Sequence, residues 1–340
     1  MRQAVMTKPG KIEFGEVPEP GQVNKHEIKL KIRKIGVCGS DIHVYHGKHP
    51  FTSYPVIQGH EYSGEVVEVG ELVKKVKPGD KATARPQQVC GKCPPCLRGD
   101  YNICNNLKVE GFQAPGTAQD YFILPEDRII RLPDALSYEQ GAMIEPAAVG
   151  AHATSRSGDL KGKNVMVFGA GPIGNLVAQF AQARGAGKVL ITDISDFRLN
   201  KAKECGIRYT ANIANEDVGK AAKKVFANEG FDVVFECAGV EITLDLAIQH
   251  VNKGGKVVVV AVYGDRPEVD MAVVGDRELS LIGTLMYKHE DYEESVALIQ
   301  SGLIKTEPLF TGHFRFEKYL DAYKYIDEQG DRSLKVIIDL

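Results

Sequence analysis

The sequence predicts an α/β protein with a β-rich first domain and a second domain centred on a doubly wound parallel sheet. Three observations support this. An apolar run, Val165-Met166-Val167-Phe168, ends in Gly169-Ala170-Gly171-Pro172-Ile173-Gly174 and is followed by helix formers with a 3.6-residue apolar period. From about residue 160, strand-like and helix-like stretches alternate, the pattern of an open parallel sheet with helices on both faces. Before residue 85, short stretches of alternating apolar and polar residues are separated by Gly and Pro turns.

Taken in order, residues 27–33 alternate as a half-buried strand does, and 65–70 and 80–84 read as further strands joined by the Lys77-Pro78-Gly79-Asp80 turn. Such short strands predict a small irregular barrel. In the second domain, strands are expected at 165–168, 188–192, 232–236, 256–262 and 279–283. Helices are expected near 172–184, 196–205, 215–228 and 240–250. Beyond Gly283 the pattern gives helices at 292–301 and 317–329 and a closing strand at 335–340. Because the parallel sheet is already complete, this tail is assigned to the first domain. The division is therefore 1–147 with 284–340, and 148–283.

The glycine cluster has a chemical reading. Gly169 permits a tight turn, Gly171 lets the backbone approach a pyrophosphate, and Gly174 lets helix and strand pack closely. Pro172 and Ile173 open the helix, whose free N–H groups face the phosphates. Asp193, about 20 residues on at the end of the second strand, would accept from ribose hydroxyls and repel a 2′-phosphate, so NAD is expected rather than NADP. Arg198 is a further candidate near the adenine or ribose, with a solvated helix charge as the alternative. Asn175, directly after the third glycine, is expected on the polar side of the helix.

The chain has 340 residues, enough for two domains with separate cores, and a net charge of −3. That balance gives no electrostatic case for nucleic acid or an anionic membrane. No apolar run reaches the length of a membrane span, and the first residues lack a signal-peptide core. A soluble cytoplasmic protein is expected.

Four of the seven cysteines lie within fifteen residues, as Cys90, Cys93, Cys96 and Cys104. Four thiolates so spaced can close around one tetrahedral zinc, leaving no position for substrate, so the lobe at about 86–110 reads as structural. An iron–sulfur cluster remains open on spacing alone, disfavoured by the single cysteine group and the nicotinamide signature. A second, dispersed set comprises Cys38 in Gly36-Val37-Cys38-Gly39-Ser40-Asp41-Ile42-His43, then Gly59-His60-Glu61, then Glu145-Pro146. One thiolate, one imidazole and two carboxylates suit a catalytic zinc with an exchangeable position. Bottom-up, a buried apolar cysteine and a satisfied core histidine are equally good readings.

In order and spacing these motifs resemble the zinc-containing medium-chain dehydrogenase/reductase family over nearly the whole chain. Within it they are similar to the polyol (sorbitol), threonine 3-dehydrogenase and 2,3-butanediol dehydrogenase branches. The resemblance implies a GroES-like catalytic domain, a Rossmann domain and a homodimer or homotetramer. It implies Cys38 and His60 as direct ligands of a catalytic zinc, Glu61 as a third ligand or one exchanging with water, and Glu145 on the metal or its water. With the structural lobe, about two zinc ions per chain follow. It implies oxidation of a secondary alcohol to a ketone, zinc acting as Lewis acid and hydride passing to nicotinamide. Ser40 would then pass the proton through the cofactor ribose to solvent-facing His43, whose ordinary pKa suits the task.

The substrate is read less directly. Tyr45, Phe51, Arg85, Gln87, Phe112, Glu145 and Tyr287 are expected around a pocket between the domains. Arg85 has the chemistry to hold a carboxylate or phosphate, which points to a polyol, sugar acid or sugar phosphate; a salt bridge is the alternative. A threonine- or butanediol-type secondary alcohol shares every motif, and a non-catalytic cofactor-binding protein would be expected to lose the zinc ligands.

Overall fold

The computed structural model describes all residues, 1–340. In chain order the first stretch holds β1 (Arg2–Lys8), β2 (Lys11–Glu16), β3 (Glu27–Val37), α1 (Gly39–Tyr45), β4 (Glu61–Val69) and β5 (Lys81–Ala84). It continues with β6 (Gln87–Gln88), α2 (Pro94–Leu97), β7 (Lys108–Val109), β8 (Tyr121–Pro125), β9 (Ile129–Arg131) and α3 (Tyr138–Ala142). Then come α4 (Ile144–Arg156), β10 (Asn164–Phe168), α5 (Pro172–Ala183), β11 (Lys188–Asp193), α6 (Asp196–Glu204) and β12 (Tyr209–Asn212). They are followed by α7 (Val218–Phe226), β13 (Val233–Glu236), α8 (Glu241–His250), β14 (Lys256–Val259), α9 (Met271–Asp276) and β15 (Ser280–Gly283). The chain closes with α10 (His289–Gln300), β16 (Phe310–Arg315), α11 (Tyr319–Gln329) and β17 (Lys335–Asp339).

One unit comprises Met1–Glu145, Lys288–Gln300 and Phe310–Leu340. Its main sheet runs β16-β17-β3-β4-β5-β9, with β8 also paired to β3. β3 shows why: Ile28, Leu30, Ile32 and Ile35 point into the core, while Lys29, Lys31 and Arg33 point out. β17 pairs antiparallel with β3, setting Val336 opposite Val37 and Ile337 opposite Gly36. The tail strand therefore completes the sheet that carries the Cys38 and His60 segments.

The other unit comprises Pro146–Tyr287 and Ser301–Leu309. Its six strands run β12-β11-β10-β13-β14-β15, all parallel. The order reverses between β10 and β13, the arrangement that places a ligand at the carboxyl ends of those strands. β10 is buried along its whole length: Val165 and Val167 join the core on one face, Met166 and Phe168 the core on the other. Burying a side chain of that kind contributes about 1.5–3 kcal/mol, so the central strand needs apolar residues on both sides.

Three expectations are corrected. The sheet has a sixth strand, β12, whose Tyr-Thr-Ala-Asn sequence carries no apolar run. Residues 301–309 belong to the second unit, because Lys305 exchanges hydrogen bonds with the Gln179 side chain, 2.7 Å from its N–H and 3.2 Å to its carbonyl. β14 stops at Val259, so 260–262 lie in the loop beyond it. No helix is long and apolar enough to cross a membrane.

Candidate metal centres and dinucleotide turn

The four-cysteine lobe is assembled locally. Cys93 caps α2, Cys96 lies within it, and Cys104 follows a short 3₁₀ turn at Tyr101–Ile103. The sulfur separations are 3.4 Å for Cys93–Cys96, 3.8 Å for Cys93–Cys104 and 3.5 Å for Cys90–Cys104. A tetrahedron with zinc–sulfur bonds of about 2.3 Å needs sulfurs about 3.8 Å apart, so the donors fit that ion. Backbone N–H groups of Cys90 and Asn106 point at the Cys104 sulfur, each at 3.3 Å. The N–H groups of Lys92 and Cys93 help pull the Cys90 thiol down to about 6, which favours the thiolate a metal requires. All seven cysteines are unbridged.

The second group is brought together by sheet register. Gly36 on β3 lies opposite Glu61 on β4. A Cβ at Gly36 would collide with the Glu61 carboxylate, so the glycine opens the passage for that side chain. Cys38 follows β3 as the cap of α1, and its N–H donates to the Asp41 carboxylate at 2.9 Å. His60 precedes β4 at Gly59, whose φ of +95° lies in the left-handed region. The donor atoms of Cys38, His60 and Glu61 lie within 4.8 Å of one another. His60 is buried; its Nδ1 has no hydrogen bond and lies 3.6 Å from Asp41 Oδ1, which leaves Nε2 as the atom to bind an ion. A carboxylate hydrogen-bonded behind a ligating imidazole fixes the ring; Asp41 stands on that side of His60, at ion-pair distance. Burial works to lower the His60 pKa, but Asp41 and Cys38 outweigh it and hold it well above the usual value. One thiol, one imidazole and one carboxylate so close together are a donor set that fits zinc, whose binding would release the imidazole proton.

Sequence reasoning missed Lys335. This lysine is 3% exposed, and its ammonium donates to Glu61 Oε1 at 2.6 Å and also to Oε2. Burial would lower its pKa; Glu61 first, then Cys38, more than compensate, so the ammonium stays charged. Its only signal was a cation opening an otherwise apolar strand. Asp41 and Gln58 were missed as well: the Gln58 amide donates to Asp41 Oδ1 at 3.2 Å and accepts from Tyr323 at 2.9 Å. Glu145, buried on the first turn of α4, is not part of the 4.8 Å group, yet its charge reaches Lys335.

The remaining predicted residues divide. Ser40 is half-buried and His43 exposed, three residues apart on α1. Phe112 stacks on His49 at 4.7 Å and leans on His60 at 4.9 Å, and Tyr45 packs on Tyr323 at 5.3 Å. Phe51 is 73% exposed and Tyr287 fully buried. Gln87 is buried on β6. Arg85 is held from one side. Its guanidinium is 7% exposed, donates to the Asp127 carbonyl at 2.9 Å and lies 5.0 Å over the Tyr101 ring. These contacts brace the base of the cysteine lobe, while its buried Nε has no hydrogen-bond partner.

At the glycine turn, a Cβ at Gly174 would collide with the Gly169 carbonyl, whereas one at Gly171 would meet nothing within 4 Å. Gly171 caps α5, with Pro172 and Ile173 in its first turn. Asp193 accepts from the Ala170 N–H at 2.6 Å and the Ser195 N–H at 2.9 Å, and each oxygen retains a lone pair for a hydroxyl. Asn175 is fully buried, contrary to expectation, and donates to the carbonyls of Ala170 at 2.6 Å and Gly171 at 3.1 Å, bracing the turn. Arg198 is half-exposed on the first turn of α6.

Residues 24–134 match the alcohol dehydrogenase GroES-like domain, and residues 172–301 match the zinc-binding dehydrogenase family. Sorbitol dehydrogenase 2 of Saccharomyces cerevisiae is 36% identical over 98% of this chain and 96% of its own. The L-threonine 3-dehydrogenase of an Anaeromyxobacter species is 32% identical over 95% and 94%. Among solved structures, a Sinorhizobium meliloti protein described as a zinc-binding dehydrogenase, bound to NADP, superposes with a TM-score of 0.91 at 29% identity, covering 100% and 99%. An Escherichia coli alcohol dehydrogenase complexed with NADH gives 0.92 at 28%, covering 100% and 99%. With its GroES-like and Rossmann parts both matched, the chain belongs to the zinc-containing medium-chain dehydrogenases and is an alcohol/polyol oxidoreductase that uses zinc and a nicotinamide dinucleotide.

Proposed function

We propose that the protein oxidises a secondary hydroxyl of a neutral polyol with NAD, reversibly, giving the ketone. The observation that carries this is the buried meeting of one thiol, one imidazole and one carboxylate at Cys38, His60 and Glu61. Zinc bound there supplies Lewis-acid chemistry, lowering the pKa of a substrate hydroxyl, and the dinucleotide accepts the hydride.

The chain's own residues do the rest. Cys38 and His60 hold the metal, with Asp41 fixing the imidazole. Glu61, paired with Lys335, would be the third ligand, and the charge of Glu145 reaches the same lysine. Ser40 accepts the hydroxyl proton at its Oγ while giving up its own, and exposed His43, on the same face of α1, releases a proton to water. Phe112, leaning on His60, excludes water from that side, and Tyr45 packs on Tyr323. Gly171 and the start of α5 receive the pyrophosphate; Asp193 selects the unphosphorylated ribose and Arg198 flanks it. A neutral polyol is favoured over an acidic or phosphorylated one because the Arg85 guanidinium already donates to Asp127 and lies over Tyr101, leaving only its Nε without a partner. We expect a homo-oligomer, as the resemblance implies.

A panel of polyols, 2,3-butanediol, L-threonine and sugar acids, each with NAD and NADP and read by absorbance of the reduced cofactor, tests this. The expected result is NAD-linked turnover of a polyol. Turnover confined to NADP would overturn the cofactor assignment, and turnover confined to L-threonine the substrate class.

A further inference from the structure

Glu236, at the carboxyl end of β13, is a fully buried carboxylate (0% exposed) whose hydrogen-bond partners are all neutral. Such a group is costly unless its lone pairs are satisfied. Here they are. Oε1 accepts from the N–H groups of Ala238 at 2.9 Å and Gly239 at 3.1 Å and from the Thr243 hydroxyl at 2.7 Å. Oε2 accepts from the Tyr263 hydroxyl at 2.6 Å.

The donors come from two loops and, through Thr243, from the first turn of α8. Ala238 and Gly239 follow β13, whereas Tyr263 follows β14. The loops also touch directly: a Cβ at Gly239, whose φ is +73°, would lie 3.0 Å from the Val262 carbonyl. The same loop meets the glycine turn, because a Cβ at Gly169 would lie 3.0 Å from the Ala238 nitrogen. One carboxylate thus joins the crossover loops of the second half of the sheet, next to the turn that opens the first half.

The strand order says which part of a dinucleotide meets these loops. The pyrophosphate belongs at the turn after β10, and Asp193 on β11 takes the adenosine ribose. The other half of the molecule must then extend across the reversal point, over β13 and β14. We propose that Glu236, tied to Tyr263, is a positioning residue that holds the loops after β13 and β14 in the shape that receives the nicotinamide half. This rests on the dinucleotide reading of the preceding section. It adds a pair of residues that touches neither phosphate nor ribose yet fixes the backbone at 237–239 and 260–263.

The test compares NADH with ADP-ribose, which lacks the nicotinamide, on wild-type, Tyr263→Phe and Glu236→Gln protein, by calorimetry or cofactor fluorescence. Tyr263→Phe keeps the ring and removes one donor. Glu236→Gln keeps the shape but replaces one oxygen by an amide nitrogen, which cannot accept from the Gly239 N–H that both oxygens share, at 3.1 and 3.2 Å. Tyr263→Phe should weaken NADH about tenfold and Glu236→Gln more, with ADP-ribose unchanged within twofold for Tyr263→Phe. In turnover, KM for NAD should rise and kcat fall, while KM for the alcohol holds. Equal weakening of NADH and ADP-ribose would show a merely structural role, and unchanged NADH binding would remove the latch; either overturns the proposal. A wild-type protein that binds neither NADH nor NADPH would instead remove the dinucleotide reading, and this inference with it. If wild-type binds only NADPH, the comparison is run with NADPH and 2′-phospho-ADP-ribose under the same criteria.

Discussion

The two cysteine-bearing groups of the first unit are built in opposite ways. The lobe collects Cys90, Cys93, Cys96 and Cys104 from one continuous segment, and its sulfurs stand 3.4–3.8 Å apart along the measured edges. The dispersed group draws Cys38 from the end of β3, His60 and Glu61 from the start of β4, and Lys335 from β17. In the first, the chain wraps itself around a point. In the second, three strands must pair in the correct register before any donors meet. A local loop suits a closed ion that holds a fold together, whereas a site framed by a sheet can keep a position open for chemistry.

The comparison can be broken by substitution. Cys38→Ser should lower turnover on the order of a thousandfold or more, since several kcal/mol of barrier depend on the metal there. Circular dichroism and the unfolding midpoint should stay near wild-type; retained activity would end the catalytic assignment. Cys93→Ser should do the reverse, releasing lobe zinc and destabilising the protein. The readout is a lower unfolding midpoint, with residual activity tracking the folded fraction.

Lys335→Met leaves Glu61 buried without its cation. Breaking a buried pair on one side costs about 3–5 kcal/mol, so the unfolding midpoint should fall sharply. A bound zinc should recover part of that loss, so the drop should be larger in chelator-treated protein than in zinc-loaded protein. An equal drop in both would show that Glu61 does not face the ion.

Asp41→Asn should weaken zinc retention in the dispersed site about 10- to 100-fold in chelator competition, leaving the lobe unaffected. The smallest effect is expected at Arg85→Met. It should lower stability modestly and change kcat/KM equally for a neutral polyol and its acidic analogue. A selective loss on the acidic substrate would restore Arg85 as a ligand-binding cation.

What the sequence disclosed follows the same contrast. The lobe could be read from spacing because all its ligands are neighbours. The glycine turn and Asp193 could be read because one strand–turn–helix–strand unit positions them. Cys38, His60, Glu61 and Glu145 each look ordinary alone; as a set they suit zinc no better than they suit a buried core, and the family resemblance decided between the two. Lys335 was out of reach because its role exists only once β17 pairs with β3. Arg85 stayed ambiguous because a guanidinium after a strand looks the same in sequence whether it meets a substrate or the Tyr101 ring. β12 was missed because an edge strand of four mostly polar residues has no apolar period to detect.

The most direct measurement is zinc content per chain for wild-type protein and for Cys38→Ser, alongside NAD-linked turnover. The account predicts about two zinc ions falling to about one, with turnover lost and the lobe intact. About one zinc in both proteins, with turnover unchanged, would contradict it.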